Sequence, residues 1–383
     1  MLRTSRIASV PFVISVTLAL GAGQSCHTLE TISPASANSQ VSPTGNFTEG
    51  HGLAINDKGD VTGWVAEPNN GRKIAFVWPA KSTNSSKPPQ LQLPTQDPKS
   101  LCKYPWAIDN AQRIYCAQFV VLDASKTDVL TQQQCAADTP AYRVRGVMPN
   151  GLGVATQFGS SYESFLFEVP TTSRPCAFKR RDNLAVNHGE GAYGIAVSKL
   201  VGGDWIGTGW MMPMPFGNPN GLDPDDFPGR AYVWRKGKPP IRLPLLPNGR
   251  TPQAGVAVNR SGWVVGRTAR LNPTDLLTAF VAIPDPHGNY HIEELPSVQT
   301  QDRGFSAAGI NAGGVVIGNF QGGAKAGFWT RNPNGKWTGI YLDSIANGGP
   351  CSFTQVGAIN DTGQITGTAE CNDGERIFRL TPD

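Results

Sequence analysis

One ten-residue pattern returns along this chain, and it constrains the fold more than any bulk property. Residues 54–63 read Ala-Ile-Asn-Asp-Lys-Gly-Asp-Val-Thr-Gly, and residues 358–367 read Ala-Ile-Asn-Asp-Thr-Gly-Gln-Ile-Thr-Gly. Residues 257–266 (Ala-Val-Asn-Arg-Ser-Gly-Trp-Val-Val-Gly) and 309–318 (Gly-Ile-Asn-Ala-Gly-Gly-Val-Val-Ile-Gly) follow the same plan. Two weaker copies lie at 107–116 and 146–155. A further copy begins at Ala196-Val197-Ser198 and resumes, after an insertion, at Gly203-Asp204-Trp205-Ile206-Gly207. The second motif residue falls at 55, 108, 147, 197, 258, 310 and 359, a period of about 50 residues.

Each unit carries more than the motif. An aromatic segment follows in most, as in Ala75-Phe76-Val77-Trp78, Ala231-Tyr232-Val233-Trp234 and Phe328-Trp329, and then a Leu-Pro-like pair such as Leu93-Pro94, Leu243-Pro244, Leu295-Pro296 or Leu342-Asp343. The apolar start reads as a short strand and Asn-Asp-x-Gly as a turn whose Gly takes a positive φ. The β-branched residues form the returning strand. The aromatic segment makes a third strand and the Leu-Pro segment a fourth, edge strand, where Pro is tolerated. Four-stranded antiparallel sheets of this size bury both faces by stacking radially, so the expected fold is all-β, a seven-bladed β-propeller. The units run near 50–101, 102–140, 141–190, 191–250, 251–302, 303–350 and 351–383, with residues 27–32 expected to supply the last blade's fourth strand and close the ring. A parallel β-helix and a pair of β-sandwiches are the rivals.

These units resemble the bacterial extracellular repeat known as the HAF family, on the Ala-Ile-Asn-Asp-x-Gly-x-Val-x-Gly and Ala-Phe-x-Trp segments, over roughly residues 27–380. The first, fifth, sixth and seventh units match well and the others are degenerate. The His that precedes Ala-Phe in that family is replaced by Ile74, Arg230 and Thr278. The resemblance implies an exported, propeller-like bacterial protein and transfers no catalytic residue.

Composition agrees with this reading. Of 383 residues 44 are Gly and 31 Pro, and only 16% are charged, which excludes helical bundles and coiled coils. The net charge of +4 gives no electrostatic case for nucleic acid. Residues 1–25 read as a secretory signal: Arg3 and Arg6 without an acid, then an apolar stretch over 10–22 too short for a confident membrane span. The mature chain, 26–383, is then a single domain without a transmembrane segment, secreted, periplasmic or on the cell surface, and monomeric. Cys26 loosely fits a lipobox, so a lipid anchor is the alternative to free secretion. Six further cysteines in an exported chain favour disulfides. Hairpin symmetry puts Cys371 opposite Ser352 and beside Cys351, giving Cys351–Cys371; Cys102–Cys116 brackets the second hairpin, and Cys135–Cys176 remains.

Function is expected on the face opposite the uniform motif turns, where the variable loops collect. Three positions before each motif stand His51, Tyr104, Arg143, Tyr193, Ala254, Ser306 and Gln355, a ring around the channel mouth if the register holds. Trp64 and Trp210, each just after a motif Gly, could join it. The expected role is binding of a protein, a glycan or a small ligand there. The alternatives are a polysaccharide lyase using His51, Tyr104 or Tyr193, and Arg143, and a structural envelope protein with no small-molecule site. No cofactor is expected. Asp223, Asp225 and Asp226 in the longest loop are candidate Ca²⁺ ligands, and Met211, Met212 and Met214 candidate Cu(I) ligands. Asp60, Asp204 and Asp361 read as turn caps, and Trp78, Trp234 and Trp329 as packing between blades.

Overall fold

A computed structural model describes residues 27–32, 47, 49–67, 71–80, 105–116, 120–123, 131–134, 142–148, 150–158, 162–168, 179–186, 190–213, 229–269, 276–300, 302, 304–321, 325–345 and 351–383. Among them there is no α-helix; one 3₁₀ turn, Leu342–Ser344, interrupts the strands. Every sheet is antiparallel, and neighbouring strands in a sheet are consecutive in sequence, apart from the N-terminal strand. Six sheets have four strands each. The first unit forms a three-stranded sheet, Glu49–Ile55, Val61–Ala66 and Lys73–Trp78. Among the described residues the expectation of seven four-stranded blades is therefore corrected to six; Leu93-Pro94, expected in the first unit's fourth strand, lies outside the described residues.

The innermost strands are Glu49–Ile55, Pro105–Ile108, Tyr142–Val147, Glu190–Lys199, Pro252–Val258, Phe305–Ile310 and Cys351–Ile359. Each packs against the next, and the last packs against the first. Closure is completed from outside: His27–Ile32 pairs with the last strand, Gly374–Pro382, from His27↔Pro382 to Ile32↔Ile377. Arg379 fastens this seam. Its Nε donates to Glu30 at 2.6 Å, its Nη1 donates to the Gly59 carbonyl, and its guanidinium lies 4.6 Å from the Trp78 ring centre.

The motif asparagine stitches blade to blade. Asn360 Oδ1 accepts from the Gln364 amide inside its own turn, while its Nδ2 donates to the Asn56 carbonyl at 2.8 Å. Asn56 repeats the arrangement, capping the Lys58 and Asp60 amides and donating to Asp109 O; Asn259 caps its own turn and donates to Asn311 O. Return bonds come from the next position: Asp361 Oδ1 accepts from the Ala312 amide, and Asn110 Oδ1 from the Asp57 amide. The second unit has Asp109, which lacks an N–H₂ to pass on; it binds Arg113 and Tyr115 of its own blade instead. Replacing Asn360 with Ala removes both functions at a buried site, and we expect a loss of about 2 kcal/mol, read by chemical denaturation. A loss below about 0.5 kcal/mol would match a featureless surface site and refute the stitching role.

A second latch uses the outer elements. Trp329 Nε1 donates to Pro296 O of the preceding blade, and Trp234 Nε1 to Ala185 O. The Leu-Pro pair itself follows the fourth strand rather than forming it, a correction to the expected placement. In the fourth, fifth and sixth units the fourth strands are Ile241–Arg242, Tyr290–Glu294 and Trp337–Tyr341. Leu243 and Leu295 still donate their amides to the third strand, and Pro, with no N–H, ends the ladder.

The fourth unit also needs re-registering. Its hairpin is longer than the others, with Ser198↔Ile206 and Lys199↔Trp205 paired, and Leu200 takes the turn place held by Asn56, Asn259, Asn311 and Asn360 in other units. The closing glycine is therefore Gly209, paired with Gly194, and not Gly207. Of the disulfides, Cys351–Cys371 is formed; bulges in the inner strand bring Cys371 opposite Cys351 itself rather than Ser352. Cys116 is disulfide-bonded as well. Cys26, Cys102, Cys135, Cys176 and the signal segment lie outside the described residues.

Candidate functional site

Every inner strand carries a β-bulge at the same place. Pairing runs from the mouth end up to the residue three before the motif's second position, then one extra residue intervenes before pairing resumes, as between Gly52 and Ala54 or between Ala307 and Gly309. The extra residues are Leu53, Trp106, Arg145, Ile195, Val256, Ala308 and Gly357. A bulge re-aims side chains that strict alternation would place on a sheet face. All of these residues line one cavity of about 300 Å³ on the axis of the ring.

The cavity is lopsided. Val256, Ala308 and Gly357 leave one side low, whereas Trp106 and Arg145 stand side by side on the other. The Arg145 guanidinium lies 4.6 Å from the Trp106 ring centre, and its Nε donates to the Tyr193 hydroxyl at 2.6 Å. Its described partners are thus neutral: no carboxylate among the described residues lies within ion-pair distance of it. At the motif-turn end the lining changes to Asp57, Asn259, Arg260, Asn360 and Asp361. Burial pushes the Asp57 carboxyl above its usual range, and the neighbouring Asp361 charge adds to this against the opposing pull of Asn110 and Arg260.

The predicted mouth residues are distributed as follows. His51 is bound through Nδ1 to Gln355 Oε1 at 2.9 Å and stacks on Trp64 at 4.3 Å, with Lys73 Nζ 3.7 Å above that indole. Tyr193 stacks on Trp210 at 4.7 Å and meets Arg145. So the structure joins His51, Gln355 and Trp64 in one cluster and Tyr193 and Trp210 in another. Ser306 is half-buried opposite Asn319. Tyr104 and the Arg143 side chain lie outside the described residues, as do Asp223, Asp225, Asp226 and Met214. Met211 and Met212 are fully buried. Among the described residues no group of three or more His, Cys, Asp or Glu is placed to hold a metal ion, and no helix is long and apolar enough to cross a membrane.

The ring that lines the cavity stands two positions further along each strand than the predicted one. Counting back along the inner strand places the residue three before the motif at the channel mouth, and a bulge is invisible to that count. The available signal was the odd mixture directly before the motif, from Trp106 and Arg145 to Gly357.

The comparisons add the fold and no more. The chain is similar to the β-propeller domain of the Trilobed protease from Pyrococcus furiosus, at 11% identity and a TM-score of 0.50, over 88% of this chain and 95% of that one. That domain has an open velcro topology, whereas here His27–Ile32 zips the ring shut. YCF48 from Cyanidioschyzon merolae is similar at 11% identity and a TM-score of 0.45, over 88% of this chain and 96% of that one. No protein-family model matches the chain, and no curated protein matches it.

Proposed function

We propose that this chain is an exported β-propeller of seven units whose role is binding, with a ligand held at the channel and reached from the variable-loop face. The seven-unit reading rests on the ring order, in which the three-stranded sheet of unit one sits between the last and second blades. Export is supported by the signal-like residues 1–25 and by the Cys351–Cys371 bridge, which suits an oxidising compartment. The likeness of the repeats to the HAF family points the same way.

The observation that carries the binding reading is the Tyr193–Arg145 contact. It connects a residue of the predicted mouth to one that lines the cavity, so mouth and channel share a wall of aromatic and cationic groups, with apolar side chains at the level of Arg145 and polar ones at the motif-turn end. Concave cavities of this size with a few fixed polar groups are where small ligands bind. A thermal-shift screen of oligosaccharides and small metabolites tests it, using the wild type and Ala308→Phe, which fills the low side of the channel. Ligands should raise the wild-type midpoint and leave that of Ala308→Phe unmoved. If Ala308→Phe fails to fold, Val256→Phe takes its place. Ligands that stabilise both chains equally, or none at all, would remove the channel as the site.

A further inference from the structure

We infer that the channel recognises a small organic anion, a carboxylate on an apolar body, with Arg145 as its anchor; this rests on the binding reading above and names the ligand class. Arg145 brings a permanent positive charge to the cavity wall. Its Nε is spent on the Tyr193 hydroxyl and one face of its guanidinium on Trp106. Both partners are neutral, and they fix the group in place without discharging it. The two terminal nitrogens have no protein acceptor among the described residues, and their paired N–H groups match the two oxygens of a carboxylate. A half-buried cation held between neutral groups is costly unless an anion arrives, which is the condition a binding site exploits.

The rest of the lining specifies the ligand's body. Around Arg145 the bulged residues are Leu53, Ile195, Val256, Ala308 and Gly357, none of which offers a polar side chain. The volume of about 300 Å³ lies at the low end for small-molecule pockets, which excludes polymers from the interior. The motif-turn end lies four residues further along the same strands, about 13 Å away at strand rise. There Asp57 and Asp361 outnumber Arg260, so an anion is favoured at the Arg145 level and disfavoured at the far mouth.

Isothermal titration with hexanoate, its neutral isostere hexanamide and inorganic phosphate tests the inference on the wild type, Arg145→Gln and Arg145→Lys. Gln keeps a donor for Tyr193, and circular dichroism checks that the variants fold. Hexanoate should bind the wild type at least about tenfold more tightly than hexanamide or phosphate, the scale of one charge-assisted pair. Arg145→Gln should erase that preference and leave hexanamide unaffected, and Arg145→Lys should recover part of it. Equal binding of hexanoate and hexanamide, or an unchanged preference in Arg145→Gln, would overturn the anion assignment and leave channel binding standing. Tighter phosphate than hexanoate would overturn the apolar body. Failure of hexanoate to bind at all would overturn this inference, and the plugged-channel screen then decides independently whether the channel binds anything.

Discussion

A chain beginning at residue 33 should melt at least about 5 °C below one beginning at residue 26 and should expose a sticky edge. The removed strand is paired along its whole length with Gly374–Pro382, and its Ile32 and His27 are buried. At about 1 kcal/mol for each ladder hydrogen bond and about 2 kcal/mol for the burial of Ile32, the deletion costs about 5 kcal/mol or more. That is a large part of a typical domain's stability, and about 7 °C for a domain of about 350 residues at about 2.1 cal/mol/K of unfolding entropy per residue. The unpaired edge of the last strand invites association with other chains. A synthetic peptide of residues 27–32 added in trans should restore the midpoint by refilling the groove, and a scrambled peptide should not. Were the shortened chain as stable as the longer one, the closing role of this strand would be refuted.

The second large effect is expected at the glycine that ends the motif in five of the seven units, Gly63, Gly209, Gly266, Gly318 and Gly367. In Gly63 an added Cβ would lie 1.7 Å from the His51 carbonyl oxygen, and in Gly209, Gly266 and Gly367 2.0–2.1 Å from the corresponding oxygens of Tyr193, Ala254 and Gln355. None of these glycines has a positive φ, so the demand is for space alone. The third strand's aromatic ring closes over the same spot: Phe76, Phe280 and Phe378 are the register partners of Gly63, Gly266 and Gly367. Gly63→Ala must therefore push apart a backbone on one side and a packed ring on the other. We expect a loss of about 3 kcal/mol, at the upper end for overpacking. Gly202→Ala is the control, since nothing lies within 4 Å of its added Cβ, and it should change stability by less than about 0.5 kcal/mol. Chemical denaturation of the pair reads the difference. Similar midpoints for the two variants would refute the close-approach account.

These glycines also show what could be read from the chain alone. The motif, its turn and its closing glycine repeat because each obeys a local rule, and local rules survive into sequence. The zipper of residues 27–32 was legible for a related reason: the last unit stops after its third strand and leaves an edge to be filled. The Asn–Asp pair was legible as a turn, but its link to the next blade was not, because Asn360 Nδ2 meets Asn56 O across 304 residues. The channel residues were hidden by a different mechanism. An inserted residue at the same place in every inner strand puts the lining at the Leu53 position rather than the His51 position, and neither hydrophobic alternation nor turn chemistry marks where a ladder slips. Tyr193 was found only because its side chain is long enough to reach the adjacent blade and Arg145. The slip in the fourth unit, where Gly209 and not Gly207 closes the hairpin, has the same origin in an altered turn length.

The supernumerary residue in each inner strand has a consequence for how such a protein can change. Everything around it is bound by duty: the Asn to its neighbour's carbonyl, the closing Gly to a backbone oxygen, the Phe to that Gly. The bulged position answers to none of these ladders, so Trp106 or Gly357 can occupy it without disturbing the framework. The protein thereby keeps its masonry separate from its keyhole, and a new lumen chemistry could be written at a handful of sites while the walls stay as they are.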